Sequence, residues 1–183
     1  MIKYPNGGIP RQPVSGPVGD DGKELFIKYP GGALKVDKRG LPLHQVLAHI
    51  VVHGEPVPAG RPRFSNGHAY DPKRSRDYKR FVSQEAKLKY HGPILRDKAL
   101  SVEVKVYRHV QRSISKLERG RRLRGEHRPI VKPDASNYLK LIEDALTGIV
   151  WEDDNLITDV SCHKYYSDEP RIEVTVTEAK EEK

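Results

Sequence analysis

The 183-residue chain has a single cysteine, Cys162, so no disulfide forms within it. One thiol suits a reducing compartment, and Cys162 itself reads as a small buried strand residue. Long apolar runs are missing as well. Stretches such as Ile50-Val-Val52 fall far short of the roughly 20 residues that span a bilayer. No apolar region near the N-terminus has the form of a secretory signal. These absences predict a soluble, unexported, cytoplasmic protein with no membrane partner. His49 and His53 lack partners at metal-ligand spacing and read as ordinary strand residues. Acidic residues are in deficit, 25 against 33 Lys and Arg, leaving a net charge of +8 and a pI near 9.5. A basic surface favours a polyanionic partner, although charge alone decides nothing.

The length allows one domain with a real core, or one domain plus an arm. Residues 1–42 carry five Pro before position 31 and eight Gly by position 40, with no sustained periodicity, so they read as an extended N-terminal arm. Within the arm, Ile2-Lys-Tyr-Pro5 recurs as Ile27-Lys-Tyr-Pro30. Leu25, Ile27, Leu34 and Val36 flank a Pro30-Gly31-Gly32 turn signal, which makes a hairpin over Glu24–Val36 possible.

Residues 43–183 read as the folded domain. Gln45–His53 gives a buried first strand, and Ser75–Tyr90 an amphipathic helix with Tyr78, Phe81, Val82, Ala86 and Leu88 on its apolar side. Leu100–Tyr107 alternates strictly, so it predicts a strand with one wet face. Leu156–Lys164 and Arg171–Thr177 predict two more, joined by a turn at Ser167–Pro170. Four strands and three helices give an α+β domain with a mixed sheet.

Two blocks concentrate positive charge. Residues 61–80 hold seven Lys/Arg against two Asp, a local +5, with Phe64, Tyr70 and Tyr78 interleaved. Cations beside exposed aromatics suit a surface that grips phosphates and stacks unpaired bases. Residues 112–132 hold eight Lys/Arg against Glu118 and Glu126, a local +6. Solvated surface is the plain alternative for both.

Between the second block and the last strands lies an unusual run of acids. Pro133 biases Lys132 away from the α region, Asp134 or Ser136 can cap a helix, and Gly148 stands where a C-terminal cap belongs. At about 100° per residue, Tyr138, Leu139, Ile142, Ala145, Leu146 and Ile149 form a core stripe. Asn137, Lys140 and Asp144 share the opposite side. Asp134 leads the helix, and Asp153 and Asp154 follow it at the expected start of a strand. Each acid alone is an ordinary cap or solvated turn residue. Three together, within a span of 20 residues and beside a lysine, suit a hard cation such as Mg²⁺ held by oxygen ligands.

Lys132-Pro-Asp134-x-Ser136-Asn137-x-x-Lys140, then Glu143-Asp144-Ala-Leu-Thr-Gly, then Trp151-Glu-Asp153-Asp154 resembles the core signature of the RusA family of Holliday-junction resolvases. That family commonly shows Pro-Asp-x-Asp-Asn-x-x-Lys, followed by Asp-Ala-Leu and an Asp-Asp pair. Ser136 departs from it, standing where many members carry a second aspartate. Either its hydroxyl makes a direct or water-mediated contact, or Glu143, seven residues on, partly replaces the charge. The residues 61–80 segment resembles the family's N-terminal loop, and the second basic block a short basic helix of its phage members. The arm lies outside the resemblance.

The resemblance implies a Mg²⁺-dependent endodeoxyribonuclease, with Mn²⁺ as a substitute, acting as a homodimer on branched DNA. Asp134 and Asp154 are the first-choice ligands, and Asp153 is a ligand or supports one. Lys140 orients water or stabilises the developing anion, and Asn137 positions a carboxylate or phosphate. Asp144 either holds Lys140 across one helical turn or acts directly. Arg61, Arg63, Lys73, Arg74, Arg76, Arg121, Arg122, Arg124 and Lys132 are the expected DNA contacts. A junction-binding protein with weakened catalysis and a nuclease for flaps or other branched nucleic acids are the competing readings.

Overall fold

The computed structural model describes residues 25–29, 32–36, 46–61, 63–65 and 67–179. The first Ile-Lys-Tyr-Pro copy lies outside them. Strands β1 (Leu25–Tyr29) and β2 (Gly32–Val36) pair antiparallel, with Leu25 opposite Val36, as the flanking apolar residues predicted.

The four-stranded mixed sheet is built from β3 (Val46–His53), β6 (Leu100–His109), β7 (Ile157–Ser167) and β8 (Arg171–Glu178), in the order β3-β8-β6-β7. Only β6 and β7 run parallel. A parallel pair needs a long crossover. Here residues 110–156 supply it, carrying α2 (Lys116–Leu123), α3 (Ala135–Leu146) and the acidic turn. The Asp168–Pro170 link then passes the end of β6, because β8 pairs with β6 rather than with β7. Before the crossover, a small hairpin of β4 (Arg63–Ser65) and β5 (His68–Tyr70) leads into α1 (Lys73–Lys89).

One face of the sheet is the core. Val102, Val104 and Val106 alternate inward on β6, as do Ile172, Val174 and Val176 on β8 and Ala48, Ile50 and Val52 on β3. Against them pack Tyr138, Leu141, Ile142, Ala145 and Leu146 of α3 and Val82 and Ala86 of α1. Phe81 and Leu88 correct the expected α1 stripe, being 40% and 71% exposed. The buried line runs Ser75, Val82, Ala86, and Phe81 and Leu88 stand about 120° and 140° away from it. Leu141 joins the α3 stripe, while Leu139 and Ile149 are only half-buried at its margin. Gly148 takes a left-handed φ of 75° just past α3, the expected end signal. Among the described residues, no helix is long and apolar enough to cross a membrane.

Candidate active site

Burying one side of α3 fixes what its other side presents. Ser136, Asn137 and Lys140 are exposed, with Lys140 at the crest, while Glu143 and Asp144 lie on its two flanks. The Asp144 carboxylate accepts from the Lys79 ammonium of α1 at 3.4 Å, and Lys79 also reaches Asp71 at 3.2 Å. The expected Lys140–Asp144 pair is thus replaced by a cross-helix one. Burial pulls the Lys79 ammonium down, but Asp71 and Asp144 outweigh it and hold its pKa above the ordinary lysine value. Lys140 has no ion-pair partner among the described residues. It borders, with Asp71, Lys79, Leu141 and Asp144, a shallow open cleft beside Gly60. Gly60 is forced there by close approach, since a Cβ would stand 2.7 Å from Pro72 Cγ. Its amide donates to the buried Ser75 hydroxyl at 2.9 Å.

On the other flank, Glu143 is half-buried and its carboxyl pKa is raised, first by burial and then by the charges of Asp154 and Asp144. Asp144 is compensated by Lys79, whereas Glu143 and Asp154 have no ion-pair partner among the described residues. Asp154 is exposed and opens a single 3-10 turn, Asp154–Leu156, ahead of β7. Asp153 caps that turn, accepting from the Asn155 amide at 3.0 Å. The strand expected to begin at this acidic pair begins instead at Ile157.

Asp134 occupies the capping position of α3, yet its carboxylate makes no capping hydrogen bond. It begins a helix on which Glu143 stands nine residues further, about 13 Å along the axis. Among the described residues, no group of three His, Cys, Asp or Glu side chains is assembled to hold a metal ion. Asp134, Asp153 and Asp154 are thus not gathered into a ready-made cage. Burial first, and then the charges of Asp154 and Asp144, raise the carboxyl pKa of Glu143, which ties that flank electrostatically to the acidic turn. Mg²⁺ keeps several waters and needs only one or two carboxylates, so the oxygen-donor chemistry of Asp154 and Glu143 suits such an ion.

The segment ahead of Asp134 is pinned by cations from the sheet. Lys164 Nζ donates to the carbonyls of Val131 and Pro133 at 3.1 and 2.9 Å, and Arg108 Nη1 to that of Lys132 at 3.1 Å. The Lys132–Pro133 peptide is cis. Sequence patterns gave no sign of these partners, because both come from strands remote in the chain.

Of the expected DNA contacts, Arg61, Lys73, Arg74, Arg76, Arg121 and Lys132 are exposed, while Arg63 lies in β4. Arg122 and Arg124 are already engaged. Arg122 Nε donates to Glu118 at 2.7 Å and its guanidinium lies 4.8 Å from the Tyr166 ring centre; Arg124 pairs with Glu126 at 2.6 Å. Arg122 and then His127 hold Glu118 below the usual carboxylate range.

Cys162 faces the N-terminal half of α3, its thiol 3.4 Å from the Ala135 carbonyl. Burial pushes its pKa to about 11. Alkylation at pH 8 is therefore expected to run roughly a hundredfold slower than for an exposed cysteine, and to reach the normal rate in denaturant. Fast labelling of the folded protein contradicts this burial.

A family model described as Endodeoxyribonuclease RusA matches residues 53–177. The chain belongs to the RusA family. A relative from Bacillus subtilis (strain 168), the uncharacterized protein YqaN, is 39% identical over 135 residues, covering 70% of this chain and 94% of that protein. The RusA match takes in α1, α3, the acidic turn, both basic blocks and strands β6–β8, so every candidate site residue falls within it. Residues 1–52, including the hairpin, fall outside.

Proposed function

We propose that this chain is a divalent-metal-dependent endonuclease that resolves four-way DNA junctions, with the exposed face of α3 and the Asp153–Asp154 turn as its catalytic surface. What carries the reading is the match of residues 53–177 to a DNA endonuclease family, together with the exposed Lys140 on α3 between Glu143 and Asp144 and the exposed Asp153–Asp154 turn that follows the helix.

Hydrolysis requires water to form a bond to phosphorus while the bond to the 3′-oxygen breaks, with a proton delivered to that oxygen. A bound Mg²⁺ or Mn²⁺ supplies charge neutralisation and acidifies its water. Asp154 and Glu143 would hold it, with Asp153 beside Asp154 in the turn, while the exposed Asp134, about 13 Å away along α3, would lie too far to share that ion. Lys140 stands at the crest between the flanks, where an ammonium stabilises the phosphorane's developing charge. Asn137 orients a phosphate or carboxylate. Ser136 contributes a hydroxyl where the family's common pattern has an aspartate, and Glu143 supplies part of that charge from the same side of the helix. Asp144, paired to Lys79, has the structural role of tying α3 to α1. The exposed cations at 61, 73, 74, 76, 121 and 132 draw in the phosphate backbone while the acids are neutralised by metal.

Resolving a junction takes two symmetric cuts. One site per chain then makes the active species a two-fold homodimer.

The test is an incision panel of four-way junction, flap, duplex and single-stranded DNA in Mg²⁺. The junction is expected to be cut fastest, at paired positions in opposing strands. Preferential cutting of flaps or single strands contradicts the junction assignment, and tight junction binding with no cutting in either Mg²⁺ or Mn²⁺ contradicts the catalytic one.

A further inference from the structure

Four residues before Asp134, the chain displays a large apolar side chain with no packing partner to justify it. Ile130 is 95% exposed and Val131 49% exposed. Isolated surface apolar residues are common, but this pair sits on a loop that is tightly held. Pro129 before it is buried. After it, three successive carbonyls, those of Val131, Lys132 and Pro133, accept from Lys164 and Arg108. Arg128 closes the other side, donating to the Lys164 carbonyl at 2.9 Å while its guanidinium lies 4.0 Å from the Tyr165 ring centre. Ile130 is thus a rigidly presented tip.

The surroundings of the tip identify what it meets. Arg128 and Lys132 lie two residues to either side of it, Lys164 is held against the carbonyls of Val131 and Pro133, and the acids of the preceding basic block, Glu118 and Glu126, are already paired with Arg122 and Arg124. A second copy docked on the same tip about a two-fold axis would bring those cations against their own images, which opposes association. A polyanion with apolar surfaces at its centre has the complementary character. Nucleic acid at an opened base step is such a partner, and proteins that open steps use an aliphatic wedge rimmed by phosphate-binding cations.

We propose that Ile130, backed by Val131, is an apolar wedge that enters the branch point of the DNA and unstacks its bases. The Arg128, Lys132 and Lys164 rim then holds the flanking phosphates, and Asp134 follows directly in the chain. This rests on the junction reading above. It adds how the enzyme distinguishes a branch from continuous duplex: stacked bases resist the wedge, whereas a branch point offers a gap.

The experiment uses full-length protein carrying Asp154→Asn and a four-way junction with 2-aminopurine at the branch point. Binding is expected to raise the fluorescence severalfold. Adding Ile130→Ala abolishes most of the rise, and Ile130→Met, which keeps apolar bulk, retains it. With Asp154 intact, Ile130→Ala lowers junction incision about tenfold, the worth of one buried side chain. Circular dichroism confirms that each variant is folded, which the exposure of Ile130 predicts. An equal fluorescence rise in Ile130→Ala and the parent overturns the wedge while leaving the junction reading intact. Loss of dimer in Ile130→Asp, with fluorescence unchanged, overturns it in favour of a contact between copies. If no protein in the series binds junctions more tightly than duplex, the junction reading itself fails and the wedge fails with it.

Discussion

Asp154→Asn is expected to leave junction binding within a few-fold of wild type and to slow incision by on the order of a thousandfold or more, because metal-derived charge stabilisation is worth several kcal/mol. The asymmetry follows from position. Asp154 is exposed at the start of a single turn and supports no packing, so the amide is accommodated without loss of fold. Its charge is the part that matters, since it adds to the negative potential at the half-buried Glu143. Removing it weakens the attraction for a divalent ion. Binding is expected to survive because the exposed cations proposed to grip phosphate lie on other segments: the loop and helix at 61–76, Arg121, and Lys132. Gel retardation and single-turnover cleavage of one junction separate the two quantities. Incision at the wild-type rate contradicts the role given to Asp154.

Trp151→Ala is expected to be the most damaging change away from the chemistry, at about 3–5 kcal/mol for a buried tryptophan, against a total of about 5–15 kcal/mol for a typical domain. Trp151 is the largest fully buried side chain, and its indole donates to the Thr147 hydroxyl at 3.1 Å. Backbone bonds surround it. Gly148 donates to the Trp151 carbonyl at 2.7 Å, and Leu95 accepts from Glu152 at 3.1 Å while donating to Val150 at 2.8 Å. These contacts carry the chain from the end of α3 into the acidic turn. The melting temperature is expected to fall by roughly 10 °C, at about 2–4 °C per kcal/mol for a domain of this size, and incision to fall even below the new melting point. Trp151→Phe, which loses mainly the indole bond, costs less, about 1 kcal/mol beyond any loss of packing. An alanine variant as stable as wild type contradicts the anchoring role.

Much of the scaffold was readable because binary pattern and burial coincide in it. The alternation of Leu100–Tyr107 became β6, and the stripe from Tyr138 to Leu146 became the buried side of α3. Gly148 marked the helix end because only a left-handed residue fits there. What escaped was either local chemistry set aside or long-range pairing. Asn66-Gly67 was a hairpin signal between β4 and β5, overlooked among the basic residues of that segment. Phe81 and Leu88 have the apolar identity of core residues but not the helical angle of the buried line.

At the site, the acids were visible as types but not as partners. Lys79 claims Asp144 from 65 residues away, and Lys164 and Arg108 pin the loop ahead of Asp134 from two different strands. No spacing rule reaches that far. Glu143, which the sequence offers only as a substitute for the charge missing at Ser136, is half-buried, and burial followed by the charge of Asp154 raises its carboxyl pKa.

The account turns on a divalent ion at the Asp154–Glu143 flank. Crystals of the protein with junction DNA, grown in Mn²⁺ under conditions that prevent cutting, give an anomalous signal at the metal. A peak coordinated by Asp154 and an oxygen of the DNA backbone is the predicted result. A well-occupied peak elsewhere, or a bound junction whose phosphates lie away from α3 with this flank free of metal, contradicts it.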